Sequence, residues 1–529
     1  MTRTLYRGGR VFTASDPAFV ESFVVDGDRI VCAGPAAGAL AADEVVELGD
    51  GLVVPGFIDA HAHLLMLGDA LGQVSLTDAR SLGEIQRRIR AAREVSGGAV
   101  RGRGWLFDSV PGGAPTAAML DEAVADVPVY LDANDYHSCW INSAALAELG
   151  ITRETPDPVG GRIGRTPDGE PDGMLYETAA QQFAWAHRDA TATDAQRDAA
   201  VERVVAAYLA SGVTGAVDMA FDEYGLAAFA RAAEQGAMPL RVAAHWFVGN
   251  ADDDAENLAQ VARAAELAAT ATPGVDVIGI KLILDGTIDA CTAAMGAPYA
   301  NGENAGPIWP TERLLPIVAA ADRAGLQIAM HAIGDAASTL ALDAIEHAMR
   351  VNGDRPRRHR IEHLEYAAPE TATRMARLGV TASMQPVHAD PAIFANWAAQ
   401  LGDERVGRGF AWSEFEEAGA VLAFSTDAPT APHEALANMY VASTRASALE
   451  PGLPAVQPHR ALPLERALAH ATRDAAASIG AGSDRGRIEV GCVADFAVLD
   501  AEPFAQGAEA LLTARVVRTV IGGRTRFEA

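Results

Sequence analysis

The sequence predicts an α/β protein: a (β/α)8 TIM barrel with a small β-sandwich built from both chain ends and an inserted subdomain after the first barrel strand. Three observations predict it. Short apolar runs alternate with alanine-rich helical patterns through the middle of the chain. The first fifty and last seventy residues share a texture of short strands broken by turns. Between these regions, the stretch from about Leu67 to Ala200 is too long for a strand-to-helix loop.

Taken in order, Gly9–Thr13, Ser22–Asp26, Gly27–Gly34 and Glu44–Leu48 read as strands at the amino end. Gly486–Gly491, Ala494–Leu499 and Val516–Gly523 read as strands at the carboxyl end. Neither set alone covers a core, so both are expected in one sandwich. The eight barrel strands are expected at Leu52–Ile58, Val213–Val217, Leu240–Ala244, Val277–Ile280, Leu326–Met330, His359–Ile361, Gly379–Ser383 and Ala420–Ser425. The resulting division is 1–55 for the first part of the sandwich and 56–454 for the barrel, with its insertion at about 67–205. Residues 455–529 hold a final helix and the rest of the sandwich.

A length of 529 residues suits more than one domain. The formal charge of −28 repels phosphate backbones and anionic lipid surfaces, so neither nucleic acid nor membranes are expected partners. No apolar run reaches the roughly eighteen residues of a membrane span. Cys32, Cys139, Cys291 and Cys492 are widely spaced, which suits a reducing compartment and a cytoplasmic location. A small-molecule substrate is the expected partner. A homo-oligomer is compatible with this size, although no heptad or other pattern gives a count.

The chemistry clusters where the predicted strands end. His61 and His63 alternate along an extended segment, which points both imidazoles to one side. Lys281 follows the fourth strand amid aliphatic residues, where it must snorkel, pair or lose its proton. His331, His363 and Asp427 end the fifth, sixth and eighth strands. Singly, each is as well explained by a buried structural role or a turn. Together they occupy the carboxyl ends of different barrel strands, where this architecture gathers catalytic groups.

Gly56-Phe-Ile-Asp-Ala-His-Ala-His63, with Lys281, His331, His363 and Asp427, resembles the amidohydrolase superfamily. Asp135–Ser143, Gly173–Ala179, Ile280–Gly286, Met330–Asp335 and Arg360–His363 make it similar to the amidohydrolase-3 group that includes N-substituted formamide deformylases. The resemblance implies a divalent metal, zinc by default, as one or two ions. It implies that His61 and His63 hold one ion, that His331 and His363 hold a second, and that Lys281, N6-carboxylated, bridges them. Asp427 then works beside the activated water as ligand and proton carrier.

The implied activity is hydrolysis of a non-peptide C–N bond, with a linear amide such as an N-substituted formamide or N-acyl compound favoured. Cyclic amide, ureide or carbamate hydrolysis and deamination use the same centre. A catalytically silent scaffold is the reading from another class, and retention of all six centre residues argues against it. His137, Trp140 and His388 are assigned to substrate contact, with His137 also placed to polarise the substrate carbonyl. Glu177, Asp285, Asp335 and Glu362 are assigned to supporting hydrogen bonds around the ligands. His187, His347, His359, His459 and His470 lack ligand spacing and read as surface or structural.

Overall fold

The computed structural model describes all residues except 1, 96, 97, 135, 137, 159, 160, 252 and 395. The chain divides into two units, Met1–Leu64 with Val204–Ala529, and Leu65–Arg203. The inserted unit thus begins and ends two residues earlier than the sequence suggests.

In the first unit, eight parallel strands follow one another around a barrel. They are Phe57–Ala62, Val213–Phe221, Arg241–Phe247, Val275–Ile283, Gln327–Ala332, Arg360–His363, Thr381–Met384 and Leu422–Phe424. All eight expected positions carry a strand. The helices between them bury one stripe; Asp335–Asn352, for example, buries Ala337, Ala341, Leu342, Ala344, Ile345 and Ala348 at helical spacing. Gly279 is required inside the barrel wall, because a Cβ there would lie 2.1 Å from the Gln327 carbonyl oxygen and 2.8 Å from the His245 ring.

The first expected strand needs correction. Leu52–Pro55 belongs to the terminal sheet, antiparallel to Phe496–Leu499, and the barrel begins only at Phe57. Gly56 is the pivot: any Cβ there would stand 2.3 Å from the Thr214 side chain.

The termini join in one continuous eight-stranded sheet. Its core mixes both ends of the chain: Tyr6 stacks on Phe23 at 4.9 Å, and Phe496 meets both rings edge-on. The expected strand at Gly486–Gly491 does not form. Gly486 and Gly491 take φ values of 79° and 95°, which bend the segment away from extended geometry while Ile488 still enters the core.

The inserted unit is built on a six-stranded sheet, in the order Gly161–Arg165, Pro171–Glu177, Ser138–Ile141, Val129–Ala133, Val100–Trp105, Val74–Ser75. Trp105 and Trp140 meet at 5.3 Å in its core, with Ile85, Ile89 and Leu131 around them. Among the described residues, no helix is long and apolar enough to cross a membrane.

Candidate metal centre

The barrel seam lies between its first and eighth strands, and three of the candidate ligands, His61, His63 and Asp427, sit on it. The Asp427 N–H donates to the His61 carbonyl at 2.8 Å, and the His63 N–H donates to the Ala428 carbonyl at 2.9 Å. Below them, Asp59 accepts hydrogen bonds from the Thr426 N–H at 2.9 Å, the Thr426 hydroxyl at 2.5 Å and the Tyr208 hydroxyl at 2.9 Å. Burial pushes the Asp59 carboxyl above its ordinary value despite these donors. Asp427 itself has a φ of 60°, a left-handed conformation that a tightly held turn sustains.

His61 Nε2 and His63 Nε2 each stand 3.2 Å from the same oxygen, Asp427 Oδ1. That oxygen is buried and has no partner with hydrogen-bond geometry. Two ring nitrogens and a carboxylate oxygen therefore converge on one point. His61 Nδ1 lies 2.7 Å from Glu362 Oε2, which places the imidazole proton on Nδ1 and leaves Nε2 bare. Glu362 is in turn paired with the fully buried Arg360. Burial alone would raise the Glu362 carboxyl, but Arg360 and His61 outweigh it and hold Glu362 well below the carboxylate range. Lys281 Nζ is 3.4 Å from His61 Nε2, and burial brings the amine down to about 8.

His331 and His363 lie on the neighbouring strands with ring centroids 4.3 Å apart. The His331 Nε2 proton points to the Gly286 carbonyl at 3.2 Å, which leaves Nδ1 bare. Burial, then the charge of Lys281, lowers His331 to about 3, so the ring is neutral. His363 Nδ1 faces Gln385 Oε1 at 2.9 Å, which leaves Nε2 bare. His388, expected to touch substrate, has its Nδ1 on Glu365 at 3.0 Å and its Nε2 3.8 Å from Asp427 Oδ2.

A family model described as the amidohydrolase family matches residues 44–527. The chain belongs to the amidohydrolase family. It is 30% identical to Protein LONG AFTER FAR-RED 3 of Arabidopsis thaliana, over 99% of this chain and 91% of that protein. It is 29% identical to the N-substituted formamide deformylase of Arthrobacter pascens, over 96% of this chain and 95% of that enzyme. Its structure resembles that of an uncharacterized metal-dependent hydrolase from Pyrococcus furiosus, with a TM-score of 0.77 and 25% identity over 95% of this chain and 99% of that one. This amidohydrolase is accordingly a metal-dependent hydrolase acting on carbon–nitrogen bonds other than peptide bonds.

A divalent cation fits the residues of this amidohydrolase. His61, His63 and Asp427 offer three ligand atoms within 4.8 Å of one another, and a cation would satisfy the orphaned Asp427 Oδ1.

Of the supporting residues expected from sequence, Glu362 does orient a centre histidine. Asp285 lies 3.5 Å from His331 Nε2 and accepts from the Ala294, Ile333 and Gly334 N–H groups, while burial pushes it up to about 7. Asp335 works elsewhere, accepting from the Gly296 and Ala336 N–H groups at a helix start. Trp140 is a correction. It is wholly buried in the inserted unit, its indole N–H donates to the Thr116 carbonyl, and no face remains for substrate. Glu177 ends a strand of the same unit with a φ of 53°. His137 lies outside the described residues.

Sequence reasoning missed two groups of the barrel interior. Asp218 accepts from the Leu64 N–H at 2.8 Å, and burial raises it to about 6. His245 faces Gln327 Oε1 at 3.0 Å, and burial, then Arg360, lowers it to about 3. Both follow directly on the apolar runs expected as the second and third strands, so the strand-end criterion used for the other ligands would have found them.

Proposed function

We propose that this amidohydrolase cleaves a linear amide of a small molecule, an N-substituted formamide or a related N-acyl compound. The observation that carries the reading is the convergence of His61 and His63 on one unpartnered oxygen of Asp427. The likeness to the Arthrobacter pascens deformylase along nearly the whole chain favours the linear amide.

His61, His63 and Asp427 would hold the ion, for which zinc suits the imidazole and carboxylate donors. When bound, it supplies a Lewis acid able to lower the pKa of water from about 15.7 toward about 7. Glu362 keeps the His61 proton on Nδ1, so Nε2 stays bare for the ion. Asp427 accepts the proton of the attacking water as its oxygen joins the carbonyl carbon. It then returns that proton to the amide nitrogen as the C–N bond breaks, giving acid and amine. Thr430, whose hydroxyl donates to Asp427 Oδ2 at 2.9 Å, steadies that carboxylate through the transfer. Lys281 is buried and has its pKa lowered, so more neutral amine is available than at an ordinary lysine to take up carbon dioxide and become an oxygen donor. The strongly negative charge and four free cysteines support a cytoplasmic enzyme of small molecules, with no nucleic-acid or membrane partner.

The test is turnover by purified zinc-loaded protein on a panel of N-substituted formamides, N-acyl amino acids and cyclic imides. Release of amine from the linear amides is expected. Turnover confined to cyclic imides, or to deamination, overturns the linear-amide reading.

A further inference from the structure

We propose that the unit containing the barrel holds a small monovalent anion, of the chloride class, against Nη1 of Arg445. The site uses none of the residues of the metal centre, and the inference stands apart from the linear-amide reading.

Two of the largest side chains without exposed surface are arginines, Arg360 and Arg445. Arg360 is met by the carboxylate of Glu362. Arg445 has no such partner among the described residues, and the neighbouring charge that acts on it is a second cation, Arg460. Burial, then that repulsion, lowers Arg445 to about 9, which still leaves it charged at neutral pH.

Its hydrogen bonds are incomplete in the same place. Nε donates to the Val456 carbonyl at 3.0 Å and Nη2 to Gln457 Oε1 at 3.5 Å, while Nη1 is buried without an acceptor. The Trp412 ring lies 4.4 Å from the guanidinium carbon, and its face favours the charge without supplying an anion. Arg460 is left short as well. Its Nη1 reaches Glu414 at 3.1 Å and its Nη2 the Gly407 carbonyl at 3.3 Å, but its Nε is buried without an acceptor. Glu414 is already engaged, since Arg408 donates to both of its oxygens, at 2.8 and 2.7 Å. Among the described residues, three arginines thus share one paired carboxylate.

A buried donor without an acceptor and a buried charge without a counter-charge each cost stability. A water molecule would answer the first and leave the second. One anion at Nη1 answers both. Enclosure by the buried Phe410 and Trp412 suits an ion that is small and singly charged. Arg445 also ends the helix Ala435–Thr444, with a left-handed φ of 61°. On that helix Asn438 accepts from the Val387 N–H at 2.8 Å and donates to the Ser425 carbonyl at 2.9 Å. An anion that holds Arg445 therefore steadies the segments just beyond the seventh and eighth barrel strands.

The purified full chain is melted in sodium chloride and in sodium gluconate at equal ionic strength. The melting temperature should climb with chloride, as binding to the folded state requires, and should not climb with gluconate, which is too large for the site. Arg445→Met, which keeps a long side chain beside Trp412 without charge or donors, should lose the chloride response. Anomalous diffraction from wild-type crystals soaked in sodium bromide should show a peak touching Arg445 Nη1, and it decides the matter if Arg445→Met does not fold. Equal melting in both salts, a chloride response undiminished in Arg445→Met, or no bromide peak at Arg445 would overturn the proposal. The variant and the peak position also separate this site from a halide bound at the metal centre.

Discussion

The main-chain N–H of Asp427 donates to the carbonyl oxygen of His61 at 2.8 Å, so the bond that helps close the barrel also sets the distance between two candidate metal ligands. The side chains repeat the relationship, since His61 Nε2 and Asp427 Oδ1 are 3.2 Å apart. The centre is therefore only as well formed as the seam, and residues that touch no ion can be tested through it.

Asp59 is the first such residue. Asp59→Ala leaves the buried Tyr208 hydroxyl and the Thr426 N–H without their acceptor. Each unsatisfied group costs about 1–3 kcal/mol. A lower melting temperature and weaker zinc binding are expected together in calorimetry; a variant that melts like the wild type with full zinc affinity would contradict the seam argument.

Glu362 is the second. Glu362→Gln leaves the fully buried Arg360 without a counter-charge, which costs about 3–5 kcal/mol for a buried pair. It also removes the anionic acceptor behind His61, for which zinc affinity should fall about 10–100-fold. Thermal melting and competition with a zinc chelator measure the two effects separately.

Asp427→Asn should lower kcat about 10²–10⁴-fold, because the amide cannot carry the proton from water to the leaving nitrogen. Zinc content measured on the same sample separates loss of the proton carrier from loss of the ion. Undiminished turnover would remove Asp427 from the chemistry.

His470 provides a pH test outside the centre. Burial alone would lower it, but Asp474 at 2.8 Å and Glu416 at 3.0 Å outweigh burial and raise it above its ordinary value. A histidine whose folded pKa is raised stabilises fully below its unfolded value of about 6.5 and loses that contribution as pH climbs through the folded value. The melting-temperature gap between wild type and His470→Gln should therefore be wider near pH 6 than near pH 9. An equal gap at both would show that the pair contributes no charge-dependent stability.

Much of this was legible along the chain because its signals are local. Apolar runs, turn residues and their order located eight barrel strands, and the strand-end positions of His61, His63, Lys281, His331, His363 and Asp427 marked the chemistry. The failures have a common form. Leu52–Ile58 reads as one strand, yet contact between Gly56 and Thr214 splits it between two sheets. Trp140 reads as a binding aromatic, yet packing against Trp105 consumes it. Asp218 and His245 went unnoticed although each directly follows an expected strand, and in the fold their strands continue past them to Phe221 and Phe247.

The residues by themselves determined the kind of fold, the family and the donor types, since periodicity and short motifs depend on neighbours in sequence. Only the tertiary structure decided which nitrogen of each histidine is bare and which oxygen of Asp427 it faces. Those choices are made by partners on other elements, from Gln385, 22 residues beyond His363, to Glu362, 301 residues beyond His61, and a proton settles on whichever nitrogen the fold supplies with an acceptor.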